Sequence, residues 1–200
     1  MQQAINYLTK KDKIFKHIVH LYGLPALPTR QPGFETLVLF ILEQKVSLYS
    51  AKATFLQLKT KLLIFDPEHL HALPEEEYRI SGVSRQKTTY IKALATAILQ
   101  KNIDLQGLAA KPAAQVREEL IKIKGIGNWT IDVYLMFCLR APDILPLGDI
   151  AVIITIKELL LLTDKQAIET YTIKWSPYRS VATFLLWHYY LQKRNRKMAW

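Results

Sequence analysis

Residues Ile123–Thr130 read IKGIGNWT, two glycines flanking one isoleucine with a tryptophan two places on. The chain holds only seven glycines in 200 residues, so two this close together, well inside its length, mark a special point of the backbone. Two readings compete. A dinucleotide-binding fingerprint needs a third glycine three residues after the second and a strand before the first. Thr130 holds that third position, and the preceding VREELIKI has helical period, so this reading fails on both counts. The other is a hairpin between two helices. Glycine reaches positive φ and allows close approach, and Ile126 is expected to tuck into the core. The first amides of the next helix then point outward with the positive end of the dipole behind them. Such a nest suits a phosphate of a nucleic-acid backbone, and Lys122 and Lys124 flank it. An ordinary glycine C-cap between two packed helices is the plainer alternative.

Outward from the hairpin, almost every segment repeats apolar residues with helical period. Phe34–Gln44 is apolar on most faces, as a buried helix should be. Ser47–Leu63 carries Leu48, Ala51, Phe55, Leu58 and Leu62 at helical spacing, and Lys87–Leu99 turns Tyr90, Ile91, Leu94, Ala97 and Ile98 inward. Pro112 suits the first turn of a helix over 113–122, Trp129–Leu139 follows the glycines, and Asp149 opens IAVIITIKELLLL. Ser176 and Pro177 read as N-cap and first position of a helix to Lys193. IAVII is the best strand candidate, but it runs unbroken into TIKELLLL, which favours a helix. The expectation is an all-α protein of about eight to ten short helices, with Pro25–Gly33 as a loop. The C-terminal KRNRK reads as a solvated basic tail.

Half of the residues are apolar, enough for a real core, and the net charge is +10 with a pI near 9.6. That balance points to a polyanionic partner, nucleic acid first and an acidic membrane surface second. The single cysteine, Cys138, excludes an internal disulfide and any all-cysteine metal or cluster site. It sits in an apolar run and reads as a small buried hydrophobe, consistent with a reducing cytoplasm. The five histidines show no HExxH spacing, so no metal site is expected. The N-terminus lacks a signal-peptide core, and no apolar run approaches the roughly 20 residues of a membrane span.

The segments LIKIKGIGNWTIDVYLM, PDILPLGD, ILEQKVSLYSAKA, YRISGVSRQKTTYIKALA and WSPYRSVATFLLWHYY together resemble the helix-hairpin-helix DNA glycosylases, and most closely their 3-methyladenine DNA glycosylase II branch. The resemblance runs over residues 34–193 and implies a helix-hairpin-helix glycosylase fold, two helical lobes with a cleft between them. Residues 1–200 would form one such unit, with 1–30 and the C-terminal helices in one lobe and 34–145 in the other. The chain reads as too short for the extra N-terminal β-rich domain of some relatives. The implied activity is that of a monofunctional glycosylase acting on double-stranded DNA with alkylated bases such as 3-methyladenine and 7-methylguanine, as a cytoplasmic monomer without a cofactor. The family also suggests a monovalent cation on the hairpin carbonyls.

The segment DILPLGDIA offers Asp143 and Asp149. Asp149 reads first as an N-cap. A carboxylate at a helix N-terminus is favoured as the anion, and an anion beneath a sugar that develops positive charge stabilises that charge and orients water. The resemblance puts the catalytic aspartate at Asp149, leaving Asp143 to begin the loop. Strand-cutting relatives place an attacking lysine two residues after the second glycine. Trp129 stands there, and an indole forms no Schiff base.

A cationic alkylpurine calls for electron-rich aromatic faces. By resemblance Trp187 and Trp129 hold pocket positions, and Tyr134 is added as a wall; the bland reading of Trp187 is core, since FLLWHYYL has helical spacing. An extruded base leaves a gap, and the family fills it from the loop in ILEQKVS, at Gln44 and Lys45. Relatives carry leucine where Lys45 stands, so a lysine would fill space with its methylenes and leave its amine near a phosphate. GVSRQK is a second turn with cationic flanks, Arg85 and Lys87, expected at backbone phosphates, as are Gly125, Gly127 and Thr130 of the hairpin. Arg179 either reaches DNA or anchors a helix. The competing functions are a non-catalytic helix-hairpin-helix DNA-binding protein and a glycosylase for another damaged base.

Overall fold

The computed structural model describes residues 1–196, so Lys197, the last residue of the KRNRK run, lies outside the described residues. Among the described residues there are twelve α-helices, two short 3₁₀ turns and no strand. None of these helices is long and apolar enough to cross a membrane. The described chain divides into two compact units, residues 30–139 and residues 1–29 with 140–196.

The continuous unit is built on α3, Phe34–Glu43, whose sequence FETLVLFILE is apolar nearly all round and buries Leu37, Val38, Phe40, Ile41 and Leu42. Around it pack α4 (Leu48–Lys59), α7 (Arg85–Leu99) and α9 (Asn128–Phe137). The short α5 (Pro67–Ala72) and α6 (Glu75–Ile80) lie against α7, and α8 (Ala113–Leu120) pairs with α9. Helix α4 stops at Lys59, short of the expected Leu63. Leu58 is its last core contact, and Leu63 stands fully in solvent. One buried charge is matched within α3's own surroundings. Glu43 takes both ends of the Arg30 guanidinium at 3.0 and 2.8 Å, and that guanidinium lies 4.7 Å over the Phe40 ring. Burial pushes the Glu43 carboxyl above its usual range against the pull of Arg30.

The discontinuous unit joins α1 (Gln2–Lys11) and α2 (Lys13–Tyr22) to α10 (Ile150–Leu160), α11 (Lys165–Thr172) and α12 (Arg179–Lys193). Helix α12 packs on α2 and α10. Trp175 is fully buried; its Nε1 donates to Asp12 Oδ2 at 2.9 Å, while Asp12 Oδ1 caps α2 at Ile14 N. IAVII is helical throughout, as its continuation into KELL requires. Helix α12 begins at Arg179 with Tyr178 as N-cap, two residues later than expected, because the Ser176 hydroxyl donates to Asp143 instead of capping the helix. Residues 141–144, placed by the sequence with the central segment, bond to α12: Ser180 N donates to Pro142 O and Ser180 Oγ to Ala141 O, while Ile144 N donates to Ser180 Oγ. Nor is the basic end simply solvated, since Lys193 and Arg194 both pair with Glu158 at 2.9 and 2.5 Å.

Candidate functional site

The glycine pair joins α8 to α9, and its two members do different things. Gly125 has φ 92, and a Cβ built there would lie 2.1 Å from Tyr90 Cγ. Both its conformation and its neighbour demand glycine. Gly127 caps α9 in extended backbone, φ −97, with no heavy atom within 4 Å of a Cβ. Nothing in the protein requires glycine there. Ile126 is 2% exposed and pins the turn from inside, while Lys122 and Lys124 are exposed on either side of the buried Ile123.

The turn after α3 is tied to this hairpin. Gln44 Nε2 donates to Gly125 O at 2.8 Å and to Thr130 Oγ1 at 3.0 Å. The Gln44 amide is thus engaged within the protein, and Thr130, only 1% exposed, accepts from it through its hydroxyl. Lys45 follows at φ 58 with its side chain in solvent. Two hairpin carbonyls already accept hydrogen bonds, Ile123 O from Ile126 N and Gly125 O from Gln44. Each keeps a second lone pair, so a monovalent cation on the hairpin carbonyls is compatible with these residues.

A third piece completes the junction. Helix α7 is capped by Ser84, and Arg85 is exposed in its first turn. Gln86 Nε2 donates to Tyr90 OH at 2.7 Å, and the Tyr90 ring lies against Gly125. Lys87, expected at a phosphate, instead donates through Nζ to Leu42 O at 2.6 Å, and burial lowers its amine below the ordinary value. The hairpin's own two helices are clamped by Arg117 of α8, which bonds Asn128 Oδ1 at 2.8 Å and the Asp132 carboxylate. Burial raises Asp132 despite that partner. The sequence reading has Tyr90 only as an inward residue of its helix and passes over Arg117 and Asp132. A lone Asp in the otherwise apolar TIDVYLMF, facing an Arg one helix earlier, was the available signal for the clamp.

In the other unit, Asp149 is the N-cap of α10. Its Oδ1 accepts from Val152 N at 3.0 Å and from Trp187 Nε1 at 3.0 Å. Trp187 reaches it from α12 because residues 179–193 form one uninterrupted helix, and Phe184 meets its ring edge-on at 5.6 Å. Trp187 is 7% exposed, so most of the indole is packing and its N–H holds the carboxylate. Asp143 has another task. Arg179 Nε and an Nη donate to its two oxygens, each at 2.8 Å, and hold the carboxyl below its usual range. Arg179 therefore anchors α12 to the loop, which settles the choice left open for it.

Trp129 is half-buried in the first turn of α9. Tyr134, expected as a pocket wall, is fully buried, so it belongs to the core. Its hydroxyl has no hydrogen-bond partner among the described residues, and burial pushes it up to about 12. Every residue of α9 from Thr130 to Phe137 is buried, so no face of that stretch is left to line a pocket. Burial likewise drives the half-buried Cys138 thiol up to about 12. Among the described residues no group of histidines, cysteines and carboxylates is placed to hold a metal ion.

Comparison with known proteins places this architecture. The chain is 29% identical over 184 residues to a DNA-3-methyladenine glycosylase of Bacillus subtilis, covering 84% of this chain and 59% of that protein. This chain thus spans about three fifths of that relative. It is 28% identical to an alkylbase DNA glycosidase-like protein of Schizosaccharomyces pombe, covering 98% of this chain and 96% of the relative. Among solved structures, a 3-methyladenine DNA glycosylase of the same yeast in complex with abasic DNA superposes with a TM-score of 0.83 at 25% identity, covering 92% of this chain and 95% of that one. Residues 38–179, from within α3 to the start of α12, match the family described as HhH-GPD superfamily base excision DNA repair protein. The chain belongs to the HhH-GPD superfamily of base excision DNA repair proteins.

Proposed function

We propose that the chain is a monofunctional DNA glycosylase. It takes an alkylated purine such as 3-methyladenine or 7-methylguanine out of double-stranded DNA, hydrolyses the N-glycosidic bond with water and leaves an abasic site. The names of the relatives support the substrate class. Water as the nucleophile is supported by Trp129, which stands where an attacking amine would be needed. In this reading the hairpin, with Lys122, Lys124 and the backbone at Gly127, grips phosphate. A purine alkylated on a ring nitrogen is already cationic and leaves as a neutral base, so little acid catalysis is required. The remaining barrier is the positive charge that grows on the deoxyribose, and a fixed carboxylate offsets it.

The observation that carries the proposal is the fixation of Asp149 Oδ1 by Val152 N and Trp187 Nε1, both at 3.0 Å. An ordinary N-cap has only the backbone bond. A second, indole donor orients the carboxylate and limits its reorganisation during the reaction. The test is release of methylated bases from genomic DNA treated with a methylating agent, followed by mass spectrometry. Asparagine also caps helices well, and its Oδ1 accepts the same two bonds, so Asp149→Asn keeps the fold and removes the charge. It is expected to bind duplex like the wild type and to lose at least about a hundredfold in release rate. A fully active Asp149→Asn refutes the mechanism. A wild type that binds duplex yet releases no base makes the chain a DNA-binding module.

A further inference from the structure

A base drawn out of a duplex leaves a hole between its stacked neighbours, and an ammonium group fills such a hole poorly. The turn at Gln44–Ser47 holds the gap-filling place by resemblance, yet its tip residue is Lys45. Two apolar side chains stand in solvent close behind it. Val46 is 45% exposed and Tyr49 is 64% exposed, and no hydrogen bond or ring contact holds the Tyr49 side chain among the described residues. Tyr49 is the second residue of α4, a helix that starts directly after the turn with Ser47 as its N-cap. Cα–Cβ bonds in a helix tilt toward its N-terminus. At that position the Tyr49 Cβ is directed back toward the turn that carries Lys45 and Val46 rather than away along α4. The turn itself is fixed, since Gln44 bonds the hairpin at Gly125 O and Lys87 Nζ bonds Leu42 O one turn earlier.

We propose that Tyr49, with Val46, stacks into the gap left by the extruded base and supplies the apolar wedge that Lys45 lacks, while the Lys45 ammonium stays at a neighbouring phosphate. This rests on the base-excision reading above. A tyrosine is suited to the task, since a flat ring stacks on any base and its hydroxyl tolerates water at the groove edge. Truncating a stacking aromatic to alanine typically weakens binding by about fivefold to a hundredfold per base.

The test compares wild type, Tyr49→Ala, Tyr49→Phe and, as an exposed control on the same helix, Leu56→Ala. Each is titrated with an undamaged duplex and with one containing a tetrahydrofuran abasic analogue, the latter also with 2-aminopurine opposite the analogue. Tyr49→Ala is expected to weaken binding to the abasic duplex at least about fivefold and leave undamaged duplex binding nearly unchanged. It should also relieve the quenching of 2-aminopurine that stacking causes. Tyr49→Phe restores both, and Leu56→Ala alters neither. Equal losses on both duplexes overturn the inference, because the ring then acts as a general contact. No loss on either overturns it too, because the ring then makes no contact with DNA. The two readings fail separately. If the wild type releases no methylated base and does not prefer the abasic duplex, base excision itself is refuted. If it does both and Tyr49→Ala keeps the preference, only the wedge is refuted.

Discussion

Gly125→Ala is the sharpest perturbation of the hairpin, and its cost can be worked from the structure. At φ 92 an alanine pays a backbone penalty of about 1–2 kcal/mol. The new methyl would also stand 2.1, 2.4 and 2.5 Å from Tyr90 Cγ, Cβ and Cδ1. Rotating the Tyr90 side chain moves its ring but not its Cβ, so α7 or the hairpin must shift, at about 1–3 kcal/mol for an overpacked site. Together these give a loss of about 2–5 kcal/mol against a total stability of about 5–15 kcal/mol. Urea denaturation measures it. Tyr90→Ala in the Gly125→Ala background should recover part of the overlap and none of the backbone term, so the two changes should couple by at least about 0.5 kcal/mol. Gly127→Ala is the internal control. With no protein atom within 4 Å of its Cβ and φ −97, it should cost under about 1 kcal/mol in stability, and any larger effect should fall on duplex binding, where a methyl keeps a phosphate from the backbone. Refutation is simple: Gly125→Ala within about 0.5 kcal/mol of wild type means that neither strain nor Tyr90 dictates the first glycine.

Gln44→Leu keeps the bulk of the side chain but strands Gly125 O and Thr130 Oγ1, and should cost about 1–3 kcal/mol in thermal or urea unfolding; an unchanged midpoint would show the latch to be idle. Trp187→Phe keeps an aromatic against Phe184 while removing the donor to Asp149. A hydrogen bond to a charged acceptor is worth about 1.5–3 kcal/mol, so base release should fall at least roughly tenfold with duplex binding intact, and equal rates would refute a positioning role. Asp143 carries a pH signature. Its folded-state carboxyl is held down by Arg179, so its contribution is complete above the unfolded value near 3.8 and is lost as pH falls through the lower folded value. Melting temperature should therefore drop more steeply from about pH 5 downward in the wild type than in Asp143→Asn; parallel curves would contradict the assignment.

The fold was legible because its signals are local and repeated. Helical period, proline and aspartate at helix starts, and the GIG turn each act within a few residues, and α3, α7, α9 and α10 lie close to where the pattern puts them. What was not legible depends on long-range partners. Ser176 reads as a helix cap from its neighbours alone, but Asp143, 33 residues earlier, takes its hydroxyl. Gln44 and Thr130 read as polar groups for DNA, yet they satisfy each other across 86 residues. Tyr134 failed for a subtler reason. On a helix as apolar as TIDVYLMF no stripe distinguishes the core face from a cleft face, so periodicity carries no information about which aromatic is buried. Asp149 was read correctly as a cap, and its bond to Trp187 became visible only with α10 and α12 both in place.

The 27 lysines and arginines overstate what is on offer to a polyanion. In the continuous unit Arg30, Arg117 and Lys87 are spent on Glu43, Asp132 and Leu42 O, and Lys59, Lys61, Arg79 and Lys111 pair with surface glutamates. Arg179, Lys174, Lys193 and Arg194 are likewise paired in the other unit. Buried pairs such as Arg30–Glu43 do not re-form with phosphate without stranding a carboxylate, which is costly. At the three-way junction, by contrast, Lys45, Arg85, Lys122 and Lys124 are exposed and form no ion pair among the described residues. Among the cations without an ion pair, these four sit where the turn, the hairpin and the start of α7 are locked together by Gln44, Lys87 and Tyr90, while Lys10, Lys11, Lys13 and Lys16 are carried by α1 and α2 of the other unit. Cations held in that way keep a fixed spacing, so they favour one register of a phosphate backbone where mobile surface lysines would attract it in any.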